Sequence, residues 1–258
     1  MSLFRNDKSW NGKCGWITRH SPSWLKSDGS SEKKQVCGAG KSLTSSNAAH
    51  KSLQEREKNT SYQTGVKHME FKGSRTEKNL LAAFAGESQA RTRYSFFASA
   101  ARKEGYEQIG SAFQQTSDEE KEHAKLFFKQ LKGGEMEITA AYPAGVIGTT
   151  RENLMAAAHG ENMEWGTLYP AFAKAADDEG FKDIADLFRQ VAKVEAYHER
   201  RYAKLLANLE KDTVFKKDVP VKWYCRNCGY VHDGDTAPMK CPVCDHPQSY
   251  FEMWVENY

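Results

Sequence analysis

The chain has 258 residues, 39% hydrophobic and 28% charged, with a formal net charge of +3; that length is enough for one or two domains with a sizeable core. No run approaches the roughly 18 consecutive apolar residues of a membrane span, so no membrane role is expected. The charge is uneven: residues 1–68 hold 12 of the 37 Lys/Arg and 5 of the 34 Asp/Glu, leaving 25 bases against 29 acids, a mildly acidic body that excludes a general nucleic-acid role.

Residues 1–68 are rich in Ser, Lys, Asn and Gly and show no sustained hydrophobic period, so they are expected to stay outside the main fold. They read as a disordered basic extension, or as sequence ahead of a start at Met69. An organelle transit segment is the alternative, against which stand the early Asp7 and the absence of an amphipathic helix. No secretion signal is present, and a cytoplasmic location is expected.

From about Ser74 a helical period begins. Ser74-Arg-Thr-Glu77 predicts a capping box, and the helix it opens runs to Arg102, ahead of Gly105. A second helix is predicted from Gln108 to Lys132. A third opens at the box Thr149-Thr-Arg-Glu152 and reaches Glu179 before Gly180, and a fourth covers Lys182 to Leu209. Four helices of about 25 to 30 residues predict a mainly α fold, a four-helix bundle over residues 69–212, followed by a small domain over 213–258.

The bundle segment repeats itself. Gly86-Glu87 is echoed by Gly160-Glu161, and Glu120-x-x-His123 by Glu195-x-x-His198. Residues three, four, seven and eleven apart share a helical face. Glu120 then lies among Phe113, His123, Ala124 and Phe127, with Glu119, Lys121 and Glu122 on the solvated side. Glu87 lies among Leu80, Ala83, Phe84, Ala90 and Tyr94. Glu161 lies among Leu154, Ala157, Trp165, Leu168 and Phe172, and Glu195 among Phe188, Val191, Ala192 and Tyr202. Buried ionised carboxylates without a partner cost several kcal/mol each, and no Lys or Arg repeats at matching positions; Arg91, on the Glu87 face, has no counterpart. Bound metal is the remaining counter-charge, and carboxylate with imidazole suits iron or manganese. With Glu164, one turn after Glu161, the acids number five, and two divalent ions leave the site near −1. Gly86 and Gly160 are expected to let a neighbouring helix approach. Tyr94 and Tyr169, seven and eight residues after Glu87 and Glu161, are core residues that could also bond a ligand carboxylate.

Of six cysteines, Cys14 and Cys37 have no assigned role. Cys225-x-x-Cys228 and Cys241-x-x-Cys244 form a four-thiolate metal site, for which zinc and iron are both compatible by spacing. The aromatic surroundings (Trp223, Tyr224, Tyr230, Tyr250, Phe251, Trp254) and a redox-active bundle favour iron.

Residues 69–258 resemble the rubrerythrin family, through AGESQARTRY at 85–94, EEKEHA at 119–124, GENMEWGTLYP at 160–170, EAYH at 195–198, YCRNCGY and CPVC. The resemblance implies a ferritin-like di-iron bundle with a rubredoxin-like domain, and a non-haem peroxidase that reduces hydrogen peroxide to water. Electrons would come from a rubredoxin or similar reduced carrier and its reductase, ultimately NAD(P)H, and the protein would be a homodimer. It further implies that Glu120 and Glu195 bridge two irons, that Glu87 and Glu161 are terminal ligands, and that His198 completes one iron. The other iron would exchange His123 for Glu164, whose first-half counterpart is Ala90. One more iron would sit among the four cysteines. Tyr94 and Tyr169 would orient ligands or peroxide. Asp245 departs from the glycine usual after the last rubredoxin cysteine and is expected to alter a sulfur hydrogen bond. An iron-oxidising and storage protein of the ferritin type is the competing reading, disfavoured because storage needs no electron input.

Overall fold

A computed structural model describes residues 69–258; the expectations for residues 1–68 lie outside the described residues. Helix α1 spans Arg75–Lys103 and α2 Glu107–Gln130, packed as an antiparallel hairpin. The connection 131–149 then leads to α3 (Thr150–Met163), a π-helical turn (Glu164–Leu168) and α4 (Tyr169–Glu179), and this broken rod pairs with α5 (Lys182–Glu210). Two hairpins joined by one long crossover are a ferritin-like four-helix bundle.

The third rod differs from the uninterrupted helix expected. Glu87 to Tyr94 is seven residues and Glu161 to Tyr169 eight, so one rod must accommodate an additional residue between the same two landmarks. It does so by widening a turn: the Tyr169 N–H reaches the Glu164 carbonyl, an i→i+5 bond. The widened turn also shifts the helical phase. Trp165 and Leu168, expected on the buried face, are 37% and 39% exposed, and Trp165 instead donates its indole N–H to Glu199 at 2.6 Å.

The ends of the rods hold each other. Thr149 and Glu152 make the full reciprocal capping box. Ser74 accepts from the Glu77 N–H, but the Glu77 carboxylate turns to the Gly73 N–H, so the expected first box is only half formed. The remaining N-terminal donors are met across the bundle. Glu179, closing α4, accepts from the backbone of Arg75 and Thr76 at 3.1 and 2.9 Å, and Glu104, just past α1, accepts from Thr150 N at 3.0 Å. A carboxylate at a helix N-terminus is doubly favoured, by hydrogen bonding and by the helix dipole.

Two apolar clusters fill the bundle. One gathers Leu80, Phe127, Tyr169, Phe188 and Val191; the other gathers Tyr94, Phe97, Phe113, Leu154 and Tyr202. On each of the four rods the inward glutamate falls between them in sequence: Glu87 between Leu80 and Tyr94, Glu120 between Phe113 and Phe127, Glu161 between Leu154 and Tyr169, Glu195 between Val191 and Tyr202. The clusters supply the burial energy and leave a polar belt across the middle.

The C-terminal part is a three-stranded antiparallel sheet ordered β2-β1-β3, with β1 Lys216–Cys225, β2 Val231–Thr236 and β3 Phe251–Met253. Trp223 and Phe251 are buried with Cys225, Cys241 and Ala237, while Tyr224 packs at a tilt against Trp254 farther out. Arg226, inside the first cysteine knuckle, donates to Ser111 of α2 at 2.7 Å, and Phe215 stacks on Tyr106, which fastens the sheet to the bundle.

Candidate metal centres

Among the described residues, three groups of side chains bring ligand atoms within 4.8 Å of one another. The first is Glu87, Glu120, His123 and Glu195; the second is Glu120, Glu161, Glu195 and His198; all are buried. Glu120 and Glu195 belong to both groups, so two ion positions share a pair of carboxylates. Glu164 stands in neither set; it is half-buried at the start of the π turn.

The inner atoms fit cations. Both imidazoles turn Nδ1 inward: His123 lies 2.8 Å from Glu120 and 2.9 Å from Glu195, and His198 lies 3.1 and 2.8 Å from the same two residues. Ligand atoms about 2.1 Å from one ion and at right angles to each other are about 3 Å apart, so these spacings suit shared coordination. Glu87 Oε2 and Glu161 Oε2 are buried without a hydrogen-bond partner. Burial first, then repulsion from Glu120, pushes Glu87 and Glu161 above the ordinary carboxylate range; burial, then Glu161, does the same to Glu164. For His123 burial acts downward, but bonds to Glu120 and then Glu195 outweigh it and raise its pKa to about 10. Two divalent ions binding here would displace the protons that these acids otherwise hold.

The tyrosines cross over between hairpins. Tyr94 of α1 donates to Glu161 of α3 at 2.6 Å, and Tyr169 of α4 donates to Glu87 of α1. Each phenol therefore fixes one carboxylate of the opposite repeat and leaves its other oxygen without a hydrogen-bond partner, free for an ion.

Three sequence readings are corrected here. Glu119 is not a solvated surface acid: it is half-buried and accepts from His198 Nε2 at 3.0 Å and from Arg201 at 3.1 Å. The His198 bond first, then Gln115 and the Arg201 charge, holds its pKa down to about 2 against the effect of burial. Gly86 and Gly160 do not mark close helix approach, since an added Cβ would meet Tyr142 at 3.6 Å in the first case and Arg93 and the Tyr94 hydroxyl at 3.7 and 3.9 Å in the second, all side-chain atoms at ordinary contact distance. A glycine that does sit at a close approach of two helices is Gly110, where a Cβ would lie 2.7 Å from Arg102 and 3.0 Å from the Ala98 carbonyl of α1. Arg91 is exposed, and the cation that acts on Glu164 is Arg93.

In the third group, the Cys225 and Cys244 sulfurs are 3.7 Å apart and those of Cys228 and Cys241 3.6 Å. A tetrahedron with metal–sulfur bonds of about 2.3 Å has edges of about 3.8 Å, so the four thiols are spaced for one ion. The two knuckles match: Gly229 N donates to the Cys225 carbonyl and Asp245 N to the Cys241 carbonyl, both residues in the left-handed region with φ of 81° and 61°. The bonds to sulfur come one residue later, from Tyr230 N to Cys228 and His246 N to Cys244. Asp245 therefore occupies the turn that glycine would take and does not itself serve the sulfur.

Comparison with known proteins agrees with this geometry. The family model described as rubrerythrin matches residues 78–206, and that for the rubrerythrin rubredoxin-like domain matches 223–252. The chain is 63% identical over 188 residues to rubrerythrin of Porphyromonas gingivalis, covering 73% of this chain and 94% of the relative. The chain belongs to the rubrerythrin family. It is also 51% identical to rubrerythrin of Nitratidesulfovibrio vulgaris, over 73% of this chain and 98% of that one. The solved structure of fully reduced nigerythrin is similar at 32% identity, with a TM-score of 0.48 and coverage of 74% and 91%. As a rubrerythrin, the chain is of oxidoreductase type, with a carboxylate–histidine di-iron site in its bundle and a rubredoxin-like iron site among its four cysteines. No described helix is long and apolar enough to cross a membrane.

Proposed function

We propose that the protein is a hydrogen peroxide reductase. The observation that carries this reading is a pair of ligand sets sharing Glu120 and Glu195, with a further carboxylate, Glu164, beside them on one hairpin only. When bound, two ferrous ions supply the two electrons that, with two protons, convert one hydrogen peroxide to two water molecules. The residues supply the rest. Glu120 and Glu195, common to both ligand sets, would hold both ions, Glu87 and Glu161, fixed by Tyr169 and Tyr94, would each hold one, and His198 would complete the second set. His123 would complete the first set, and Glu164 would be the carboxylate able to take its place when the ions are oxidised, a fifth acid to offset the added positive charge. Peroxide enters through a cavity of about 870 Å³ beneath the connection 131–149, lined in part by Gly86, Arg93, Tyr142, His159, Glu164 and Tyr169.

Cys225, Cys228, Cys241 and Cys244 would hold one iron able to carry single electrons from a reduced carrier of the rubredoxin type, supplied ultimately by NAD(P)H, and a homodimer belongs to the same reading. The test is single-turnover stopped flow of anaerobically reduced protein mixed with hydrogen peroxide. Glu164→Ala should keep both bundle irons yet slow oxidation about ten-fold or more, which corresponds to about 1.4 kcal/mol of barrier. An unchanged rate would refute the exchange.

A further inference from the structure

An offset of 75 residues carries Glu120 onto Glu195 and His123 onto His198. Applied to what surrounds the two imidazoles, the same offset exposes a difference that the ligands themselves do not show. His198 donates from Nε2 to Glu119 Oε2 at 3.0 Å. Glu119 also accepts from Arg201 at 3.1 Å, Arg201 donates to Thr116 Oγ1, and the Thr116 hydroxyl donates to the Ala112 carbonyl at 3.2 Å. The chain of bonds thus ends on the backbone of α2, and each partner is oriented by the next.

At the equivalent positions around His123, Thr116, Glu119 and Arg201 are replaced by Val191, Val194 and Leu126. None of these side chains can donate or accept a hydrogen bond. The ion pairs and hydrogen bonds of His123 all run through Nδ1, to Glu120 and Glu195. Its outer side borders an open groove shared with Val194, Glu122 and Glu119, and Glu119 is bonded not to His123 but to His198 and Arg201.

We propose that Thr116, Glu119 and Arg201 are positioning residues that lock His198 in place, and that the lack of this clasp on the other hairpin makes His123 the histidine that yields. This rests on the ligand exchange given under Proposed function. A carboxylate on the remote N–H of a ligating imidazole fixes its tautomer and ring orientation and raises its basicity. Detaching His198 would break that charge-assisted bond and strand Glu119 and Arg201, whereas detaching His123 breaks no equivalent. Two asymmetries then coincide. The hairpin that brings Glu164 supplies a replacement for His123, and the clasp keeps the histidine that has no replacement, since the counterpart of Glu164 is Ala90.

The experiment uses the full chain, loaded anaerobically with ferrous iron, as wild type and as the Glu119→Val, Glu119→Gln and Val194→Glu variants. Ferrous titration should show one bundle position of Glu119→Val weakened about 10- to 100-fold with the other unchanged, and Glu119→Gln, which retains an acceptor oxygen, should recover at least half of the loss on a logarithmic scale. X-ray absorption should count two imidazoles per bundle iron pair in reduced wild type and one after oxidation by peroxide. In Val194→Glu, where a carboxylate now stands beside His123, two should remain after oxidation. Wild-type affinity at both positions of Glu119→Val, or equal losses in the Val and Gln variants, would overturn the clasp. Retention of two imidazoles in oxidised wild type would instead sink the exchange, while the titrations still decide whether Glu119 holds His198.

Discussion

The two helical hairpins are built to one plan and differ in a few residues, and those residues surround the site. Both hairpins bring a Gly-Glu, a tyrosine that reaches across to the other hairpin, and a Glu-x-x-His. Both close their first rod on a glutamate, Glu104 or Glu179, that caps the opposite hairpin. They part company where the second hairpin has one more residue between Glu161 and Tyr169, which opens the π turn and presents Glu164, and where the polar Thr116, Glu119 and Arg201 have Val191, Val194 and Leu126 as their counterparts in the repeat. The shared features build two ligand sets of the same kind; the unshared ones give their two histidines different surroundings.

The largest effect should come from removing what the hairpins hold in common. Anaerobic chelation of the bundle iron leaves the inward acids without their counter-charge. At iron concentrations about 1,000 times the dissociation constant, the lost stabilisation is about 4 kcal/mol, or about 10 °C in melting temperature by far-ultraviolet circular dichroism. A bundle that melts at the same temperature with and without iron would mean that the carboxylates are stabilised some other way.

Next in size are the crossed tyrosines. Tyr94→Phe and Tyr169→Phe each remove one hydrogen bond to a buried carboxylate, and each should cost about 1.5–3 kcal/mol in denaturant unfolding of the iron-loaded protein. The shared plan requires the two losses to agree within about 0.5 kcal/mol; a clear inequality would show that the tyrosines are not equivalent.

The smallest effect concerns the caps. Glu179→Gln should cost about 1–2 kcal/mol through weakened bonds to Arg75 and Thr76. Burial alone would raise the Glu179 pKa, but the bonds from Thr76 and then Arg75 outweigh it and hold it below the ordinary value. A depressed pKa stabilises the fold above the unfolded value of about 4.3 and loses that contribution as pH falls through the folded one. The wild-type advantage over Glu179→Gln should therefore be full near pH 6 and shrink below about pH 4; a difference that grows on acidification would contradict it.

Much of this was legible in the sequence because helical faces are periodic. Leu80, Phe113, Leu154 and Phe188 mark the buried stripes, and the inward glutamates fall on the same stripes. What escaped has a common cause, in that it depends on partners in other elements or on a break in the period. Trp165 and Leu168 were misplaced because a regular 3.6-residue period was carried through the π turn, although the eight-residue spacing to Tyr169, against seven to Tyr94, was a visible sign of the added residue. Glu119 sits on the polar side of its own helix, and only the approach of His198 and Arg201 from α5 gives it a purpose. The reach of Glu179 to Thr76, a contact 103 residues apart in the chain, leaves no local trace. In the small domain the four cysteines were plain from spacing, while the role of Asp245 depended on a backbone angle that spacing does not reveal.

The central claim is that two irons lie between the hairpins, separate from the one among the thiols. Mössbauer spectroscopy of ⁵⁷Fe-loaded protein, reduced anaerobically and then given one equivalent of hydrogen peroxide, tests it most directly. The account predicts oxygen- and nitrogen-ligated ferrous iron in twofold excess over thiolate-ligated iron, and oxidation of two of the three irons by the single equivalent, with loss of ferrous signal from the larger component. A spectrum holding only thiolate-ligated iron, or a larger component that stays ferrous after peroxide, would contradict it.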